Sequence, residues 1–193
     1  MSKPTILFVP GLRDHVADHW QTLLEAKLPN ARCVPRRSMD KFSCVGWVND
    51  LERTVADISG PIVLCAHSGG VAMVVHWAVR HRRPIQGALL ATPPDFGWPL
   101  PPGYPTEDTL RDNGWMPVPT RRLPFPSIVA ASTNDPLARY ERVEQMAAAW
   151  GSRLVNVGAV GHLNPASGHG EWPRGLELIE ELCNATEQSA AHS

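Results

Sequence analysis

Ile62-Val63-Leu64-Cys65-Ala66-His67-Ser68-Gly69-Gly70 is the stretch that decides how this chain reads. An unbroken apolar run ends on a serine flanked by small residues, and a helical pattern begins at once. This is the sequence form of a nucleophile elbow, small-x-Ser-x-Gly, in which the serine tops a sharp strand-to-helix turn. The demand is steric. A non-glycine residue held at positive φ crowds its neighbours, so the positions two before and two after must carry almost no side chain. Ala66 and Gly70 occupy them. Alanine departs from the commoner glycine, but by one methyl group.

Outward from that turn, short β-branched runs at 5–10, 32–35, 61–65, 87–91, 127–131 and 154–157 alternate with helical patterns. Alternation of this kind implies βαβ units and a parallel sheet. Several runs are apolar throughout, as strands covered on both faces should be. Five helical stripes lie between and after them, carried by Trp20/Leu24, Trp47/Leu51, Val71/Val75, Val143/Ala147 and Leu176/Ile179. Each is an apolar face suited to lie on a sheet. The expected fold class is α/β, a six-stranded mostly parallel sheet with helices on both faces. One domain is expected over 1–185, with a small, polar, frayed tail at 186–193.

The segment 92–126 breaks the rhythm. Its prolines, among them Pro93-Pro94, Pro101-Pro102 and Pro117, exclude a long regular helix. Phe96, Trp98, Tyr104 and Trp115 argue against disorder. A connection this long in a small domain is expected to serve a site, here as a lid-like insert after the fourth strand. A surface loop whose rings cover sheet edges is the plainer alternative.

Composition narrows the function. The chain has 193 residues and a formal charge of −1, with no basic run or acidic tail. Neither nucleic acid nor a membrane surface is therefore an expected partner. No apolar run approaches the roughly 20 residues that span a bilayer. The N-terminus passes straight into a strand pattern without a signal-peptide core, so the expected location is cytoplasmic. Cys33, Cys44, Cys65 and Cys183 make no C-x-x-C pair and are expected to be reduced thiols rather than disulfides or zinc ligands. No metal or organic cofactor is implied, and the oligomeric state is left open.

If Ser68 is a nucleophile, it needs a base within hydrogen-bond reach. Of the eight histidines, His162 follows the last strand in Gly161-His162-Leu163-Asn164, where it can overhang the sheet edge. His67 adjoins the serine, but its side chain must leave the turn on another side. Asp135, in Ser132-Thr133-Asn134-Asp135-Pro136 after the fifth strand, is the expected orienter of the imidazole. Its rivals are an ordinary turn role and Asp95 after the fourth strand. Ser, Asp, His is the chain order of α/β-hydrolases. An oxyanion hole would then combine the Gly69 amide with that of Leu12, which follows Pro10-Gly11. Substrate contacts are expected from Arg13, Phe96, Trp98 and Trp115.

Several blocks together resemble a known family: Val9-Pro10-Gly11-Leu12 with Trp20-Gln21, the Ser68 elbow, the Asp135 block, and Gly161-His162-Leu163-Asn164 with Gly168 and Trp172-Pro173-x-Gly175. The chain resembles the small bacterial serine hydrolases related to retinoblastoma-binding protein nine over nearly its whole length. The resemblance implies a minimal α/β-hydrolase that lacks the two leading strands of larger members. It also implies esterase or peptidase-like activity on small substrates. The expected function is hydrolysis of a small-molecule carboxylic ester through an acyl-enzyme. The alternatives are an aminopeptidase-like or amino-acid-ester hydrolase, with Glu107 or Asp108 holding an ammonium, and a non-catalytic binding protein on the same fold. A nucleotide-binding parallel sheet also fits the element order, but the first βα turn has neither a Gly-x-Gly-x-x-Gly fingerprint nor a P-loop lysine.

Overall fold

The computed structural model describes residues 3–190, with side chains through Ala185. Six strands, β1 (Thr5–Val9), β2 (Ala31–Cys33), β3 (Ile62–His67), β4 (Gly87–Ala91), β5 (Ser127–Ala131) and β6 (Arg153–Asn156), form one sheet in the order β2-β1-β3-β4-β5-β6. Every neighbouring pair is parallel. The sheet expected to be mostly parallel is parallel throughout.

The helices are α1 (Trp20–Lys27), α2 (Cys44–Ala56), α3 (Gly69–Ala78), α4 (Glu107–Asp112), α5 (Tyr140–Trp150) and α6 (Pro173–Ala190). Local chemistry sets several of their ends. Ser43 Oγ accepts the Gly46 amide at the start of α2, and Gly151 closes α5 in the left-handed region at φ 69°. Residues 186–190, expected to fray, continue α6, in keeping with the helix propensity of Glu187, Gln188 and Ala190. Residues 191–193 of the expected tail lie outside the described residues.

The apolar runs divide by pleat between two cores. Leu7, Val9, Ile62, Leu64 and Ala66 face α2, α3 and α5, while Ile6, Phe8, Val63 and Cys65 face α1 and α6. Alternation was invisible in the sequence because both faces are apolar. The insert 92–126 is packed rather than loose. It contains only the short helix α4, and Phe96, Leu110, Trp115, Leu123 and Phe125 all join the core under α2 and α3.

The strand order has a functional consequence. From β1 the chain moves outward to β2, then returns to place β3 on the other side of β1. The loops after β1 and β3 therefore diverge at the carboxyl edge, and the crevice between them is where parallel α/β sheets bind ligands.

Candidate active site

Ser68 stands at that crevice. Its backbone lies at φ 53°, ψ −125°, between the end of β3 and the first turn of α3. Two hydrogen bonds hold the strained turn: the Ser68 amide donates to Ala91 O at 3.0 Å, and the Val71 amide donates to Ser68 O at 2.8 Å. Gly70 is required by close approach rather than by its own dihedrals. A Cβ there would lie 2.1 Å from Val9 O and 2.8 Å from Pro10 O. Gly70→Ala is therefore expected to cost about 3 kcal/mol or more, because backbone cannot yield as a side-chain tip can. Gly97→Ala, whose Cβ meets only Asp95 Oδ1 at 3.4 Å, serves as the control. Urea unfolding of both variants checks this, and equal midpoints would contradict it.

The fold brings His162 and Asp135 to Ser68 from distant parts of the chain. His162 Nε2 lies 2.7 Å from Ser68 Oγ, and His162 Nδ1 lies 3.0 and 2.9 Å from the two Asp135 carboxylate oxygens. All three side chains are buried. Asp135 also accepts the Leu137 amide at 2.8 Å, which sets the carboxylate plane. An imidazole held between a carboxylate and a hydroxyl can take the hydroxyl proton as the oxygen attacks a carbonyl carbon. Asp95, the rival, is elsewhere. It is buried beside Arg142 (3.5 Å) and Arg139 (4.0 Å) and accepts the Gly97 amide.

The loop after β1 lies against the elbow. A Cβ on Gly11 would sit 3.1 Å from Ser68 Cβ, 3.2 Å from His67 O and 3.5 Å from Gly69 N, a tight fit that a larger residue would relieve only by moving the loop a few tenths of an ångström off the elbow. From Gly69, a Cβ would point to within 3.6 Å of Leu12 N. The Leu12 and Gly69 amides have no acceptor among the described residues. They are thus two free donors beside the serine. The loop is held from behind by Arg36, a residue that local sequence did not single out. Its guanidinium donates to Gly11 O (3.1 Å) and Pro10 O (3.4 Å) and lies 3.3 Å from the centroid of a Trp47 ring. With both carbonyls engaged by Arg36, the following amide is left to face the crevice.

His67 is the second residue missed. It does leave the turn on the far side, as sterics required, and its Nε2–H donates to the backbone carbonyl of His162 at 2.8 Å. Ser167 Oγ accepts the His162 amide at 2.9 Å, and Asn134 accepts the Gly161 amide at 2.7 Å. The His162 loop is therefore pinned on both sides. The only local signal was the density of small polar residues around Gly161 and Ser132, which is also ordinary turn chemistry.

His67 and its neighbour His19, 4.5 Å away between ring centroids, carry a pH consequence. Burial, reinforced by His162, pushes the His67 pKa well below its ordinary value and brings that of His19 down to about 4. Both rings are neutral in the folded chain at pH 7 and gain protons more readily on unfolding. Stability from these groups is therefore complete above about pH 6.5 and is lost as pH falls from there toward 4. At about 1.4 kcal/mol per pH unit, His19 alone accounts for about 3 kcal/mol. Denaturant midpoints should fall between pH 7 and 5, and less so in His67→Gln, which keeps an N–H donor without the titration. Parallel curves for the two proteins would exclude His67 as the cause.

Two clefts open onto Ser68. One, of about 460 Å³ including its open mouth, is walled by Trp47, Phe96, Leu110, Trp115 and Leu137. The other, of about 630 Å³ on the same measure, is walled by Arg13, Asp14, His19, His162 and Asn164. Of the residues expected to contact substrate, Phe96 and Trp115 line the first and Arg13 the second. Trp98 joins neither. It is 43% exposed and lies under Arg139, with 4.4 Å between the guanidinium and the ring. The Gly-Trp-Pro turn directs it outward, and nothing in the local sequence distinguishes it from Phe96. Glu107 and Asp108 are also exposed, and Glu107 pairs with Arg111 at 2.5 Å.

All four cysteines are free thiols. Among the described residues no cluster of His, Cys, Asp or Glu is arranged to hold a metal ion. No described helix is long and apolar enough to cross a membrane.

A six-stranded parallel sheet with serine, aspartate and histidine meeting above its carboxyl edge defines the α/β-hydrolase class. The chain belongs to the serine hydrolase family, whose model matches residues 6–181. A Pectobacterium atrosepticum protein described as a YdeN-like hydrolase superposes with TM-score 0.81 at 28% identity, over 95% of this chain and 92% of that one. The ydeN product of Bacillus subtilis gives TM-score 0.73 at 17% identity, over 93% and 98%. Est1E from Butyrivibrio proteoclasticus gives 0.68 at 14%, over 98% and 89%, and shares the fold. No curated protein matches the chain in sequence.

Proposed function

We propose that this chain hydrolyses small carboxylic esters through an acyl-enzyme on Ser68. The observation that carries the reading is the continuous hydrogen-bond chain Asp135–His162–Ser68, with separations of 2.9 and 2.7 Å. Ser68 Oγ attacks the carbonyl carbon as His162 Nε2 takes its proton. The tetrahedral oxyanion accepts hydrogen bonds from the Leu12 and Gly69 amides, each such donor being worth about 3–4 kcal/mol. Collapse expels the alcohol, protonated by His162, and leaves the acyl group on Ser68. Water, deprotonated by the same imidazole, then attacks the acyl carbon and releases the acid. No step calls for a metal or organic cofactor. The free thiols accord with a reducing, cytoplasmic setting.

The amino-acid-ester or aminopeptidase reading requires a carboxylate near the acyl carbon to hold an ammonium. Glu107 and Asp108 lie outside both clefts, and the one carboxylate in a cleft wall, Asp14, lines the cleft that holds His162 rather than the uncharged one beside Gly69. A side-by-side assay of acyl esters, aminoacyl esters and aminoacyl amides tests the choice. Acyl esters are expected to be cleaved fastest; faster turnover of aminoacyl compounds overturns the ester reading. A fluorophosphonate probe addresses the binding-protein alternative: labelling of Ser68 supports the enzyme, and an unlabelled native protein supports the binder.

A further inference from the structure

The two clefts meet at Ser68, and Leu12 and Tyr104 line both. Beyond these shared residues their chemistry is opposite. In the first cleft the polar atoms of the large rings are already used: the Trp47 indole donates to Lys41 O at 3.1 Å, and that of Trp115 to Phe42 O at 2.6 Å. What faces the space is hydrocarbon. In the second cleft several polar groups have no partner. His19 Nδ1 accepts the Gln21 amide at 3.2 Å, which places the ring proton on Nε2, and that buried Nε2–H has no acceptor. The side-chain oxygen of Asn164 accepts from Ser167, leaving its amide nitrogen unpaired. Arg13 and Asp14 add one charge of each sign, so the cleft favours hydrogen bonding over net charge.

Proton transfer decides which half of an ester enters which cleft. The leaving oxygen must lie within hydrogen-bond reach of His162 Nε2, which has to protonate it. His162 lines the polar cleft and not the apolar one, whereas Gly69 lines the apolar cleft and not the polar one. With the carbonyl oxygen at the Leu12 and Gly69 amides, the leaving group extends past His162 and the acyl chain passes under Trp47 and Trp115.

We infer that the apolar cleft is the acyl site and the His19–Asn164 cleft is the site for a hydroxylated leaving alcohol, which makes the preferred substrate an apolar acyl ester of a polyol. This rests on the ester-hydrolase reading above and adds a direction to it. His19 Nε2–H is closed off from solvent behind the cleft wall, so a substrate hydroxyl reaches it only as the ring turns; an unpaired buried donor is costly until an acceptor fills its place, and the hydroxyl then gains more there than in water. His19 is thereby a specificity residue that reads the alcohol.

The test uses glyceryl and propyl monoesters, which share a three-carbon alcohol skeleton, each carrying acetyl, butyryl or succinyl groups. In the native protein kcat/KM should favour glyceryl over propyl by about tenfold, the worth of one well-placed hydrogen bond. Butyryl should exceed acetyl by about tenfold for two buried methylenes, and succinyl, with its carboxylate, should fall below both. His19→Asn keeps an N-cap acceptor for α1 but withdraws the Nε2 donor. It should shrink the glyceryl/propyl ratio at least fivefold while leaving the butyryl/acetyl ratio in place, an estimate from the loss of one hydrogen bond. Leu110→Gln should do the reverse. A merely damaged fold lowers all rates together and moves neither ratio. Crossed-over effects, with His19 controlling the acyl ratio, or native ratios near one, overturn the inference. A native protein that cleaves none of the esters and takes no fluorophosphonate instead overturns the underlying reading.

Discussion

Ser68→Ala is expected to lower kcat on an activated ester on the order of a million-fold, the loss that follows when the nucleophile of a coupled serine–histidine–aspartate set is removed. The side chain supplies one oxygen, whose one hydrogen-bond partner among the described residues is His162 Nε2 at 2.7 Å. The backbone bonds that hold the elbow come from Ser68 N and Ser68 O and survive the change. Thermal stability should therefore stay near that of the native protein while fluorophosphonate labelling disappears. A variant that retains turnover within tenfold of native would move the nucleophile elsewhere.

Asp135→Asn should cost about ten-thousandfold in kcat with little change in KM, through the tautomer of His162 rather than through packing. Both Asp135 oxygens lie within 3.0 Å of Nδ1, so the carboxylate keeps the proton there and leaves Nε2 able to accept from Ser68. An amide that turns its NH₂ toward Nδ1 drives the proton to Nε2, and the base becomes a donor. Asp95→Asn is the comparison. Asp95 shares its site with Arg139 and Arg142 and lies off the hydrogen-bond chain, so its loss should change the rate far less. A larger loss at position 95 than at 135 would reverse the assignment.

Particular residues separate what could be read from what could not. Ser68 was legible because the elbow is a local steric problem, solved within five residues by Ala66 and Gly70. Asp135 and His162 were legible because a parallel sheet brings all its βα turns to one edge, so a residue just after a strand is near other such residues wherever it lies in sequence. His67 and Arg36 were not. Each acts on a carbonyl, His67 on that of His162 and Arg36 on those of Pro10 and Gly11, and a carbonyl has no residue-specific signature. Phe96 and Trp98 make the same point from the other side. Two aromatics two positions apart went to opposite destinations, one into the core and one under Arg139.

The sequence alone determined the parallel α/β class, the elbow and the chain order of its three chemical groups, because these follow from short-range sterics and from the apolar runs that strands need. The tertiary structure decided the two clefts, their opposite chemistry and the side of Ser68 on which each lies. Their walls come from segments as distant as Arg13, Trp47, Leu110 and Asn164. Packing fixes which face of each segment meets Ser68, and no local pattern encodes that choice.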